Sequence, residues 1–377
     1  MKSRAGLTAA LLAVLLMLTA LWGCSAPASN AGEEGTPAPS ESPEVSAQEE
    51  GEPDGPVDLP ESPEAQPAAE GGSEKPPKPV IGLIVADDSA LLTRSAMHGF
   101  LRTAENLNYP SRLYAVPAGS TAVERVDQAV SDGCSGLVVW VDSLESANAA
   151  KYARMKGVPV VAAMAAGSVT AYSIEADAVL YADPADYCAE AARTMCETAI
   201  SRGNKEGVIV IAREEGAHQD IVDAFQAAIT ASYPQYMLTD MPIAATRAET
   251  EAAAKEYLKD ESNRKLAGVF ALSPTAATAW YNTEIAAEKA FNFKISPVIM
   301  ALDYTDENLS LVGNSKILCL IARPYYTCAA QAAMVLDSIL NGSAVQQSIR
   351  VNAPVIRRKD IEKYASIVKE VKNWFGM

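Results

Sequence analysis

From Val80 to residue 322 the chain alternates short β-branched, apolar runs with longer amphipathic stretches, and it does so in two consecutive series. A run such as Val80-Ile-Gly-Leu-Ile-Val85 has no polar face, so as a strand it must be covered on both sides. Runs of this kind separated by helix-length segments specify parallel strands joined by crossover helices. The first series predicts strands at 80–85, 111–116, 136–141 and 158–163, with helices through 97–106, from near Thr121, and over 143–155. After Asp183 the second predicts a helix over 188–201, then strands at 207–212, 236–239, 266–272, 298–302 and 317–322. Helices at about 217–231, 250–258 and 276–290 separate them. Each series suffices for one doubly wound, Rossmann-like lobe, so the fold class is α/β with two such lobes. The stretch 357–377 predicts an amphipathic helix, with Ile361, Tyr364, Ile367, Val368, Val371, Trp374 and Phe375 near one face. It either packs on a lobe or docks a partner.

What precedes residue 80 has different chemistry. Lys2 and Arg4 lead into an uncharged, mostly apolar run from Leu7 to Trp22 that ends Leu21-Trp22-Gly23-Cys24. The run is too short for a dependable transmembrane helix. Its ending resembles a bacterial lipobox, in which the cysteine thiol, here that of Cys24, takes a diacylglyceryl group and becomes the new amino terminus. An ordinary secretory signal or an uncleaved anchor is the alternative. Residues 25–79 hold 12 of the 22 prolines, 13 acidic residues, two lysines and no Phe, Trp or Tyr. A segment with so little to bury is expected to be a disordered tether, of r.m.s. span about 40 Å by random-coil scaling.

The tether also accounts for most of the charge. It carries −11 and the leader +2, which leaves −7 of the total −16 for the folded part. A mildly acidic domain without a basic cluster argues against nucleic acid. Apart from Cys24 there are five cysteines, at 134, 188, 196, 319 and 328, with no CxxC pair, and only two histidines in the chain. A zinc site is not expected, and buried small hydrophobes are the reading for the thiols. No phosphate loop, dinucleotide fingerprint or Gly-x-Ser-x-Gly elbow is present. Glu215 and His218 could form an acid–base pair, but no nucleophile motif accompanies them. The expectation is therefore a non-enzyme without cofactor or metal.

Several segments resemble, in order and spacing, the type 1 periplasmic binding proteins of the ribose-binding and LacI-like kind, over residues 80 to about 356. They are Ile81-Gly-Leu-Ile-Val with Gly99-Phe100, Asp127-Gln128 before Gly136-Leu-Val-Val, and Gly157-Val-Pro-Val-Val161. Asp183 with its helix, Val222 to Phe225, Gly268-Val-Phe-Ala-Leu-Ser and Ala301-Leu-Asp303 continue the series. The resemblance implies three hinge crossovers, near Ala182, Ala322-Arg323 and Val351 to Pro354. It divides the chain into a signal over 1–24, a tether over 25–79, and an amino-terminal lobe over 80–182 and 323–352. A carboxyl-terminal lobe over 183–322 and 353–357 and a terminal helix over 358–377 complete it.

The resemblance also implies a ligand held between the lobes, at the carboxyl ends of the strands. The family pattern places Asp88, Ser89, Leu92 and Thr93 at the cleft mouth, where sugar binders carry asparagine and aromatics. Trp140 is placed to stack on a ligand, or else to pack over the helix that follows. Met164, Ile221 and Ala322 fall where the family has polar sugar contacts, Ser273 where asparagine is frequent, and Asp303 alone keeps its expected type. Tyr325 stands nearby with Tyr304 and Tyr326. Arg247 and Arg323 could hold a carboxylate or phosphate, or be solvated surface arginines. A ring of hydroxyls needs charged or amide partners, each unpaired group costing roughly 1–3 kcal/mol, so an ordinary aldose is not expected. The implied function is an extracytoplasmic, lipid-anchored, monomeric solute receptor that delivers its ligand to an ABC-transporter permease. The alternative is a ligand-sensing lipoprotein that signals to a membrane kinase or chemoreceptor.

Overall fold

The computed structural model describes residues 77–165, 173–243, 246–291 and 295–377. The predicted leader, Cys24 and nearly all of the predicted tether lie outside these residues. Within them the chain forms two six-stranded sheets. The first holds β1 (Val80–Val85), β2 (Ser111–Ala115), β3 (Cys134–Trp140), β4 (Val160–Met164), β5 (Ala178–Tyr181) and β11 (Ser348–Arg350), in the order β11-β5-β4-β3-β1-β2 and all parallel. The second holds β6 (Gly207–Glu214), β7 (Tyr236–Ile243), β8 (Leu266–Ala271), β9 (Val298–Leu302), β10 (Cys319–Ile321) and β12 (Val355–Ile356). Its order is β12-β10-β9-β8-β6-β7, with β12 antiparallel at the edge.

Helices α1 (Leu91–Asn106), α2 (Ala122–Ser131), α3 (Leu144–Met155) and α9 (Tyr325–Leu340) accompany the first sheet. With the second run α4 (Pro184–Ser201), α5 (Gln219–Ser232), α6 (Arg247–Tyr257), α7 (Pro274–Phe291) and α8 (Asp306–Gly313). A last helix, α10 (Ile361–Phe375), follows β12. Local chemistry sets several of their starts. Thr121 accepts from the Glu124 N–H while Glu124 accepts from the Thr121 N–H, a reciprocal cap that opens α2. Asp183 caps α4 through the Ala185 N–H and is followed by Pro184, whose fixed φ suits the first helical turn.

Each sheet is covered on both faces, as its uninterrupted apolar strands require. Along β4, Val161 and Ala163 join the core under α1 and α9, whereas Val160, Ala162 and Met164 join the core under α2 and α3. Helices α1 and α9 approach so closely that a Cβ at Gly99 would lie 2.3 Å from the Tyr326 carbonyl oxygen. Only a residue without a side chain permits that contact.

The two-lobed, doubly wound architecture is the one the sequence pattern implies. The chain passes between the sheets three times: from β5 through Ala182 and Asp183 into α4, from β10 through 322–324 into α9, and from β11 through 351–354 into β12. The structure adds β5, β11, β12, α8 and α9, none of which stood out in the apolar pattern.

Candidate functional site

Beside the crossover that follows β10, charged groups from the carboxyl ends of β9 and β10 are joined to each other. After β9 the backbone turns sharply at Asp303, which adopts a left-handed φ of 67°. Asn308 holds the turn by donating its side-chain N–H to the carbonyls of Leu302, at 2.8 Å, and Asp303, at 2.9 Å. The Asp303 carboxylate then accepts from Arg323, Nε lying 2.9 Å from Oδ1 and 3.0 Å from Oδ2, with Nη2 also donating to Oδ2. The Arg323 backbone N–H reaches Oδ1 at 3.3 Å. Both residues are buried, Asp303 at 5 % and Arg323 at 8 % exposure. Burial alone would lower the guanidinium pKa, but Asp303 beside it raises it above the ordinary arginine value.

Arg323 continues the chain of contacts into the first lobe. Its guanidinium lies 5.4 Å over the ring of Tyr325, and Tyr325 stacks on Trp140 with centroids 5.4 Å apart. Tyr187, from the first turn of α4, is nearly fully buried with its hydroxyl unpartnered, and feels the charges of Arg323, Asp220 and Asp303. Burial raises its pKa. His218, in left-handed backbone just before α5, feels the same arginine and aspartates and Glu214. Asp303, Arg323, Tyr325 and Trp140 thus form a continuous seam between the lobes.

The remaining sequence-derived site residues divide by placement. Asp88 and Ser89 are exposed on the loop after β1, where the Asp87 carboxylate accepts from the Ser89 N–H and hydroxyl, both at 2.8 Å. Thr93 is half-buried, and Leu92 packs against the core of the second lobe. Ser273 accepts from the Ala276 N–H at 3.2 Å at the start of α7. Met164 and Ile221 are 0 % exposed and Ala322 1 %, each packed within a lobe core. Period-two alternation turns Met164 toward α2 and α3. Arg247 is exposed and pairs with Glu307 at 2.5 Å. Arg323 is the reverse of a solvated arginine. Trp140 packs on Tyr325, not over the helix that follows it.

All five described cysteines are buried and free, and burial pushes the thiols of Cys196, Cys319 and Cys328 up to about 12. Among the described residues no group of three or more His, Cys, Asp or Glu is placed to hold a metal ion. Two concavities, one near Lys205, Arg264 and Ser296 and one near Tyr109, Pro110 and Trp374, lie toward the amino ends of strands.

Both histidines titrate with consequence. Burial lowers the pKa of His218, Arg323 adding to the effect and Asp303, Asp220 and Glu214 opposing it. Burial likewise lowers His98, against Glu370, with Arg102 adding to it. A histidine whose folded pKa lies below its unfolded value contributes stability that is complete above about pH 6.5 and is lost as pH falls through the folded value. The melting temperature should therefore drop between pH 7 and 5. A profile as flat in the native protein as in His98→Asn and His218→Asn variants would contradict this.

Comparison with known proteins gives a consistent picture. Residues 81–344 match the model of a periplasmic binding protein domain. No curated protein matches the chain. Among solved structures, a sugar ABC transporter sugar-binding protein from Bacillus halodurans is 16 % identical, with a TM-score of 0.63 over 76 % of this chain and 99 % of that one. An arabinose-binding protein from Geobacillus stearothermophilus is also 16 % identical, with a TM-score of 0.61 over 76 % and 99 %. A periplasmic ribose ABC transporter protein from Conexibacter woesei has the same identity and TM-score over 77 % and 95 %. At such identity the likeness to these structures is one of fold.

Proposed function

The chain belongs to the periplasmic binding protein family, and on that premise we propose that it captures a small solute between its lobes outside the cytoplasm and delivers it to an ABC-transporter permease. It is a binding protein, not an enzyme. The Gly23-Cys24 ending and the proline-rich acidic stretch after it support a lipid anchor at Cys24 with a tether that lifts the domain from the membrane.

The ligand we propose is not an ordinary aldose, and one observation carries that reading. The Asp303 carboxylate, the acidic group retained from the family's sugar contacts, spends both oxygens on Arg323. A sugar hydroxyl reaching that carboxylate would compete with an ion pair already made to Arg323 through two guanidinium nitrogens. Met164, Ile221 and Ala322 bring no polar replacement. Of the positions named from sequence, Asp88, Ser89, Thr93, Arg247, Ser273 and Tyr325 keep a polar side chain that is not fully buried.

A thermal-shift screen of aldoses, nucleosides, amino acids and small organic acids tests both levels. A true ligand at a hundred times its Kd stabilises by about 2.7 kcal/mol, a shift of several degrees. We expect such a shift from a compound outside the aldoses and none from ribose, arabinose or glucose. A shift with one of those sugars would refute the ligand class, and none with any compound would count against solute capture.

A further inference from the structure

The three covalent crossovers are not the only link between the lobes. Helix α10 touches both. Toward its start, Ile361, Tyr364, Ile367 and Val368 pack on the core of the second lobe, and the Tyr364 ring lies 5.4 Å from that of Tyr304. Lys372 pairs with Asp306 at the head of α8. Toward its end the helix leaves that lobe for the first. The Trp374 ring meets the edge of His98 on α1 with centroids 5.1 Å apart, Phe375 joins the core under α1 and α9, and Arg94 lies 5.6 Å over the Phe375 ring.

Tyr364 and Trp374 are ten residues apart in one uninterrupted helix, about 15 Å along its axis. Two lobes joined by a rigid rod cannot rotate apart about their crossovers unless the rod slides or lets go at one end. The two ends are not equal. Val368 is 1 % exposed, whereas Trp374 is 49 % exposed and Phe375 half-buried. The apolar surface at the Trp374 end faces solvent more than Val368 does, which makes it the end to release.

We propose that α10 is a latch: it travels with the second lobe and, through Trp374 and Phe375, holds the first lobe against opening. The ligand's identity does not enter the argument. Hinge rotation is then a two-state event in which the latch is seated or released, not a free swing. His98, the docking surface for Trp374, also contacts Tyr326 of α9 with ring centroids 5.7 Å apart, so the seat is shared by two helices of the first lobe.

The test uses the full chain with Cys24→Ala, since the other five thiols are buried. Spin labels go on the exposed positions Leu144→Cys and Glu215→Cys, one on the strand-end rim of each lobe. Pulsed electron resonance reads the distance between them. In otherwise native protein one narrow distribution is expected. With Trp374→Ala and Phe375→Ala together, the distribution should broaden and its mean lengthen by more than about 2 Å, and Trp374→Phe should keep it narrow. If the double variant does not fold by circular dichroism, Trp374→Ala alone takes its place, with a smaller lengthening expected because its side chain is half exposed. A folded variant of either kind with an unchanged distribution overturns the latch. So does equal broadening with Trp374→Phe, which would mean the ring contact holds nothing.

Discussion

Arg323→Gln is expected to cost about 3–5 kcal/mol of stability, because it strands the Asp303 carboxylate in a buried site with one long backbone N–H as its remaining donor. The pair is hydrogen-bonded through two guanidinium nitrogens and closed over by Tyr325, so solvent cannot readily replace the lost charge. Asp303→Asn should be costly for the mirror reason, a buried guanidinium left without its anion. Combining the two removes both charges and should recover part of the loss, as coupled neighbours do. Chemical denaturation of the four proteins in a double-mutant cycle measures this. Additive costs, or an Arg323→Gln cost below about 1 kcal/mol, would show that the seam is not coupled. The same substitution bears on specificity. With Arg323 gone, Asp303 can accept from ligand hydroxyls, so under the proposed ligand class folded Arg323→Gln should bind an aldose more tightly than the native protein does.

Tyr304→Ala is expected to cost a similar amount, about 3–5 kcal/mol, by emptying the space of a large buried ring. Tyr304 follows Asp303 directly and is 2 % exposed. Its hydroxyl reaches Ser95 on α1 and the backbone of Tyr326 on α9, while its ring packs in the core of the second lobe beside Tyr364. It therefore belongs to both lobes and to the latch helix. Burial, opposed by the hydrogen bonds to Ser95 and the Tyr326 backbone, raises its pKa, so the hydroxyl stays neutral. Tyr304→Phe keeps the ring and should lose only about 0.5–1.5 kcal/mol. Similar losses for the two variants would place the weight on the hydroxyl and not on packing.

The architecture was legible because a parallel strand covered on both faces must be apolar along its whole length, a local property. β1, β3, β4, β6, β8 and β9 are visible that way. β5, β11 and β12 were not, being only two to four residues long. Helix α9 escaped notice for a related reason: much of Tyr325–Leu340 is apolar, so its helical period shows weakly. Asp303, Tyr325 and Trp140 each stood out in the sequence, but the seam they form with Arg323 did not. The helix at the carboxyl terminus was legible too, but its partner was not, since an apolar face does not state whether one lobe or two will cover it.

By itself, the sequence determined the two-lobed parallel fold and set apart the composition of the first 79 residues. Tertiary structure alone decided that Arg323 is spent on Asp303, that Trp140 stacks on Tyr325, and that Met164, Ile221 and Ala322 turn inward. It also decided that α10 spans both lobes. Strand and helix patterns arise from neighbours along the chain, whereas the partner of a charge or ring is set by which segments the sheets bring together. Asp303 and Arg323 stand at the ends of adjacent strands 20 residues apart, and only the pairing of β9 with β10 puts them in reach.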